Sequence, residues 1–161
     1  MKQFFNWLSE VPDGTPKSVL LIRIMAGGVF FWEGLIKFVF QNQGVGRFTK
    51  IGIPFPDVMA YFIAVLEIVG GLMLIFGLFT RWISIPFIIQ MTVAILSTKI
   101  GVLLGNSPLL LPPVPPQTGF WAVLHETRTD FAQIMCSIFL LISGPGALSL
   151  EAAMKRKPVK E

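Results

Sequence analysis

Residues 57–79 read DVMAYFIAVLEIVGGLMLIFGLF, 23 residues with only two charged side chains. As a helix rising ~1.5 Å per residue, a run of that length crosses the ~30 Å hydrocarbon core of a bilayer. Two further runs match it: KSVLLIRIMAGGVFFWEGLIKFVF at 17–40 and WISIPFIIQMTVAILSTKIGVLL at 82–104. A soluble domain of 161 residues could not bury so much apolar side chain, because small folds have too much surface for their volume. Lipid can cover it instead, so the chain is predicted to be a single all-α integral membrane domain over 1–161.

A fourth run, FAQIMCSIFLLIS at 131–143, is shorter. Thirteen charge-free residues reach only ~20 Å, less than the bilayer core. A spanning helix here has to extend backwards through Asp130 and Arg128 to about Phe120, after Gly119. The expected architecture is therefore a transmembrane four-helix bundle with spans near 17–40, 57–79, 82–104 and 120–143. GIPFP (52–56) suits a helix start, and Pro86 is expected within about the first turn of the third span.

The flanks differ from the spans. MKQFFNWLSE is too short in its apolar part for a signal peptide and lacks a cleavage site. Phe4, Phe5, Trp7 and Leu8 suit an interfacial helix within 1–16, with a disordered segment as the alternative. NSPLLLPPVPPQTG (106–119) is stiff and Pro-rich, a candidate lid or docking loop. The segment 144–161 ends in a basic tail. With four spans, Lys2, Lys17, Arg81, Lys155, Arg156, Lys157 and Lys160 share one side. The bias of Lys and Arg towards that side predicts both termini in the cytoplasm of a bacterial inner membrane. The tail also accounts for the net charge of +4, which argues against nucleic-acid binding.

Few familiar redox centres fit the composition. Cys136 is the only cysteine, so no resolving thiol exists in the chain. The single histidine, His125, cannot supply both axial ligands of a haem, and no residue cluster has zinc spacing.

Ionisable residues within spans are costly and usually face the bundle interior or a wet cavity. In the first span, Glu33 and Lys37 are spaced for a helical ion pair. Arg23, Gly27, Gly34 and Lys37 share a face whose small residues allow close helix approach. In the second, Glu67 lies among Ala60, Ala64 and Gly71 at about mid-depth, without a partner in its own helix. In the third, Gln90, Ala94 and Ser97 share a face, with Lys99 elsewhere. In the fourth, Glu126, Asp130, Gln133 and Ser137 form a stripe. Alternating helix directions bring Glu33, Lys37, Lys99, His125, Glu126, Arg128 and Asp130 to one level near the outer leaflet. Arg23 lies in the inner third, where it can snorkel. Two readings stand for this cluster: a functional polar pocket, or packing and capping, since Thr127-x-x-Asp130 matches a capping box.

LIRIMAGGVFFWEGLIK, GIPFP, LEIVGGLMLIFGLFTR and GPGALSLE, in this order over residues 19–151, resemble the DoxX family of small four-helix bacterial membrane proteins. HETRTDF and ILSTKIG look like those of a family subgroup, and Glu151 stands where members often have Asp. The resemblance implies a four-helix bundle loosely associated with oxidoreductases. Joined to the polar cluster above, it gives as the leading reading a subunit of a membrane redox system that binds a quinone or small reductant at Glu33, Lys37, Glu67, Lys99, His125, Glu126, Arg128 and Asp130, with a soluble or membrane oxidoreductase as partner. A non-catalytic anchor and a small proton-coupled transporter, which four helices would form only as a homo-oligomer, are the competing readings.

Overall fold

The computed structural model describes residues 2–12, 14–112 and 116–155. Among them there are seven helices and no strand: α1 (Lys2–Leu8), α2 (Val19–Val39), α3 (Val45–Lys50), α4 (Pro56–Phe76), α5 (Thr80–Leu104), α6 (Phe120–Ser143) and α7 (Leu150–Lys155). α2, α4 and α5 are long and apolar enough to cross a membrane. α6 is as long, at 24 residues, but carries Glu126, Arg128 and Asp130 in its first half. The basic residues Arg156, Lys157 and Lys160 lie outside the described residues, as do Pro113, Val114 and Pro115 of the Pro-rich loop.

The four long helices pack as two close pairs, α2 with α4 and α5 with α6, and the pairs meet along the looser seams α2/α6 and α4/α5. Glycine sets the first pair. A Cβ built on Gly27 would lie 2.5 Å from the Gly71 carbonyl oxygen, and one on Gly71 would lie 2.6 Å from that of Gly27. About two helix turns further on, Gly34 approaches the Ala64 carbonyl in the same way. Backbone contact this close, between small residues, substitutes in lipid for the hydrophobic drive that water would supply. Between the pairs, the Phe30 and Phe87 rings stack 3.6 Å apart beside Leu74, Ile83 and Leu140, closing one half of the bundle.

That closed end also holds two arginines. Arg23 does not snorkel: its side chain is 1% exposed and donates to the carbonyls of Leu74, Ile75, Pro145 and Leu148 at 2.7–2.9 Å. Leu74 and Ile75 are in the last turn of α4, where carbonyls lack helical partners and the dipole favours a cation. Arg81 is likewise buried rather than a loop charge. It donates to Ile142 in the last turn of α6 and to Trp7 and Glu10, and its guanidinium lies 4.4 Å from the Trp7 ring centroid. The N-terminal segment is thus a docked helix, with Leu8 buried and Phe4 and Phe5 exposed. Lys155 of α7 donates to Ser9, so both described ends gather at the α4–α5 turn.

Other elements follow local chemistry. Pro56 occupies the first position of α4. Pro86 is the seventh residue of α5 and lies in the helix interior, because α5 begins two residues earlier than the apolar run indicated. Glu151 accepts the Thr80 N–H at 3.0 Å, at the start of α5.

Candidate functional site

The open half of the bundle encloses a cavity of about 720 Å³. All four long helices line it, and α3 with its flanking loop covers it through Gln43, Arg47, Phe48, Ile51 and Ile53. The volume falls within the ~300–1,000 Å³ typical of small-molecule sites. No described residue of the Pro-rich loop lines it, and the element that covers it is α3.

Six of the eight residues singled out in the sequence line this cavity: Glu33, Lys37, Glu67, Lys99, Glu126 and Asp130. They form two groups. On the α2/α4 side, Lys37 places its ammonium 2.7 Å from Glu67 Oε2 and only 3.9 Å from Glu33 Oε2. Gln90 of α5 donates to the other Glu67 oxygen. Glu67, without a partner in its own helix, is thus held by residues of two others while its side chain is 2% exposed. On the α5/α6 side, the Lys99 ammonium lies 3.7 Å from Asp130 and 3.9 Å from Glu126. An isolated charge at this depth would be expensive, and pairing across helices reduces that cost.

The other two residues lie elsewhere. Arg128 is exposed and donates to the His125 carbonyl one turn earlier. His125 is half-buried on α6 and does not line the cavity. Arg47 was not among the residues singled out, yet it lines the cavity and donates to Gln43. No local signal marked it, since VGRFTK is rich in weak helix formers.

Thr127 does not cap α6. The helix starts at Phe120 behind Gly119, which leaves Thr127 as its eighth residue. HETRTD therefore lies wholly inside the helix, and Glu126 and Asp130, four apart, point from one face to Lys99. Below them Gln133, 4% exposed, donates to the Ala26 carbonyl across the α2/α6 seam.

The lining carries three cations, Lys37, Arg47 and Lys99, against four carboxylates, Glu33, Glu67, Glu126 and Asp130. Their setting is otherwise apolar, with Phe30, Phe48, Phe62 and Leu66 among the walls. Such a site can accept a neutral head group by hydrogen bonding and hold protons on adjacent acids. Among the described residues no group of His, Cys, Asp and Glu could hold a metal ion.

The DoxX family model matches residues 18–100, from α2 through most of α5. The chain belongs to the DoxX family. Its relatives include "Uncharacterized membrane protein Rv3486" of Mycobacterium tuberculosis, 40% identical over 153 residues, covering 94% of this chain and 90% of the relative. They also include "Putative oxidoreductase CatD" of Bacillus subtilis, 30% identical over 133 residues, covering 82% of this chain and 83% of that one. No solved structure matches the chain. In this DoxX chain the family match ends one residue past Lys99, so Glu126 and Asp130 lie beyond it.

Proposed function

We propose that this DoxX protein is a membrane subunit of a redox system, binding a quinone or small reductant in the cavity between its two helix pairs. The observation that carries the reading is the meeting of two cross-helix ion groups, Lys37–Glu67 and Lys99–Asp130, in one largely apolar cavity. Lys37, Lys99 and Arg47 supply donors to a carbonyl oxygen. Glu33, Glu67, Glu126 and Asp130 supply proton sites. With one cysteine and one histidine in the chain, this reading assigns the electrons to an oxidoreductase partner. The oxidoreductase named among the relatives supports the association.

In this reading α6 is the fourth span. Its 24 residues give ~36 Å, more than the bilayer core, and Lys99 compensates its acids. Both termini are assigned to the cytoplasmic side of a bacterial inner membrane. The gathering of α1, α7 and the α4–α5 turn at one end, together with the basic tail, supports that side.

The test is quinone binding to the purified protein in lipid nanodiscs, repeated for Glu33→Gln and Asp130→Asn. Loss of a hydrogen bond to a charged group costs ~1.5–3 kcal/mol, so affinity should fall roughly tenfold or more. Unchanged affinity in both variants removes the pocket assignment. An anchor role is favoured by one observation: Leu110 of the Pro-rich loop is 98% exposed, an apolar side chain available to a partner protein. Deleting 108–118 would then release a co-purifying partner while quinone binding persists.

A further inference from the structure

The cavity has two rims of opposite chemistry. On the α2/α6 seam the exposed lining residues are polar, Glu33 and Thr129. On the α4/α5 seam they are apolar: Phe62 on α4, and Ile89 and Val93 on α5, are 46–59% exposed while lining the cavity. α4 and α5 touch near their turn, where Gly70 packs against Ile83 and Phe87. The Glu67–Gln90 hydrogen bond then crosses the seam. Past that bond both helices line the cavity, through Ile63 and Leu66 on α4 and Val93 and Ala94 on α5. Apolar side chains exposed on membrane helices are covered by acyl chains, whereas an exposed acid such as Glu33 needs water or headgroups.

We infer that the cavity is entered sideways from the bilayer, between α4 and α5, and that its ligand is a chain-bearing, membrane-dissolved amphiphile rather than a water-borne reductant. The Glu67–Gln90 bond is the floor of the entrance. A neutral hydrogen-bonding head passes over it to Lys37 and Lys99, while the apolar chain stays between Phe62 and Val93 or trails into lipid. A water-soluble reductant gains nothing from an apolar rim and would have to leave water for hydrocarbon to cross it. The identity of the head group rests on the quinone reading above; the route does not.

Two measurements test it. The first uses a benzoquinone with a ten-carbon chain and the same head group with a methyl in its place. Val93→Trp, which fills the rim, should weaken binding of the chain-bearing probe at least tenfold. Leu96→Trp, on the exposed face of the same helix but outside the cavity lining, should not. Glu33→Gln and Asp130→Asn, by contrast, should weaken both probes. Equal affinity of the two probes, with Val93→Trp inert, overturns the lateral route and leaves quinone binding standing.

The second needs no quinone. A spin label at Ala94→Cys, in a Cys136→Ala background and in nanodiscs, should be reached by dissolved oxygen about as readily as one at Leu96→Cys, and poorly by a water-soluble nickel chelate. Dominant access by the chelate overturns the route whatever binds. Absence of binding by either probe to the native protein, with oxygen access retained at Ala94, sinks the quinone reading and keeps the entrance.

Discussion

Lys37 on α2 pairs with Glu67 on α4 at 2.7 Å, although Glu33 stands four residues away on its own helix. The preference follows from depth. Glu33 is 56% exposed and can be solvated at the rim, whereas Glu67 has only Lys37 and Gln90 to offset the loss of water. Removing one partner of a buried pair costs ~3–5 kcal/mol, because the other charge is stranded. Lys37→Met and Glu67→Leu should each destabilise the protein by about that much, measured by denaturation in mixed micelles. The double variant should recover most of the loss, and additive losses would show that the pair is not coupled.

Gly27 and Gly71 should tolerate no larger residue. Their built Cβ atoms collide with backbone, which cannot move aside as a side chain could. Overpacking usually costs ~1–3 kcal/mol, and backbone collisions belong at the upper end. Gly27→Val should lower the midpoint of thermal denaturation markedly. Gly28→Val, with open space around it, should have a small effect that reflects helix propensity alone.

Arg23→Lys tests whether the charge or the fork matters at the closed end. A lysine keeps the charge, but its single ammonium cannot span four carbonyls from two segments. Hydrogen bonds to charged groups are worth ~1.5–3 kcal/mol each, so Arg23→Lys should lose at least that much stability. A fully stable Arg23→Lys would mean that charge at the α4 terminus suffices.

Glu151 gives a pH dependence. Burial pushes its carboxyl above the ordinary value of 4.5, outweighing the Thr80 N–H and the nearby cations that favour ionisation. The fold therefore favours the protonated acid relative to the unfolded chain. That contribution is full below the unfolded pKa and is lost as pH rises through the raised one. Glu151→Gln, which still accepts from Thr80, should match or exceed the native stability at neutral pH and flatten its decline above pH 4.5. A Gln variant less stable at neutral pH, yet equal in acid, would reverse that sign.

Thr127→Ala separates the two readings of HETRTD. A helix-capping threonine would cost ~1 kcal/mol on truncation. At the eighth residue of α6, with no side-chain hydrogen bond made by its hydroxyl, the change should stay within about 0.5 kcal/mol.

What was legible in the sequence had strong one-dimensional signals. Bilayer thickness against the length of 131–143 placed Glu126, Arg128 and Asp130 inside a helix, and α6 does begin at Phe120. Helical periodicity put Gly27 and Gly34 on one face of the first span and Ala64 and Gly71 on one face of the second, and the fold brings those two faces together. What escaped depends on three-dimensional choices. The local i, i+4 spacing points Lys37 to Glu33, and its closer pairing with Glu67 depends instead on which carboxylate is cut off from water. Arg23 and Arg81 read as snorkelling or topogenic charges because their partners are backbone carbonyls, which every residue carries. Arg47 lies on a six-residue helix with little periodicity, so its place over the cavity comes only from how α3 folds back on α4.

The Gly70 contact and the Glu67–Gln90 bond make the α4/α5 pair a lever with its fulcrum inside the bilayer. From Gly70 to Met59 the chain climbs ~16 Å along α4, so a 5° change in the interhelix angle moves the far rim by ~1.4 Å. Width at the rim thus responds to tilt as well as to side-chain size, and tilt in turn responds to hydrocarbon thickness. A thinner or thicker bilayer would admit ligand at a different rate through an unchanged set of residues.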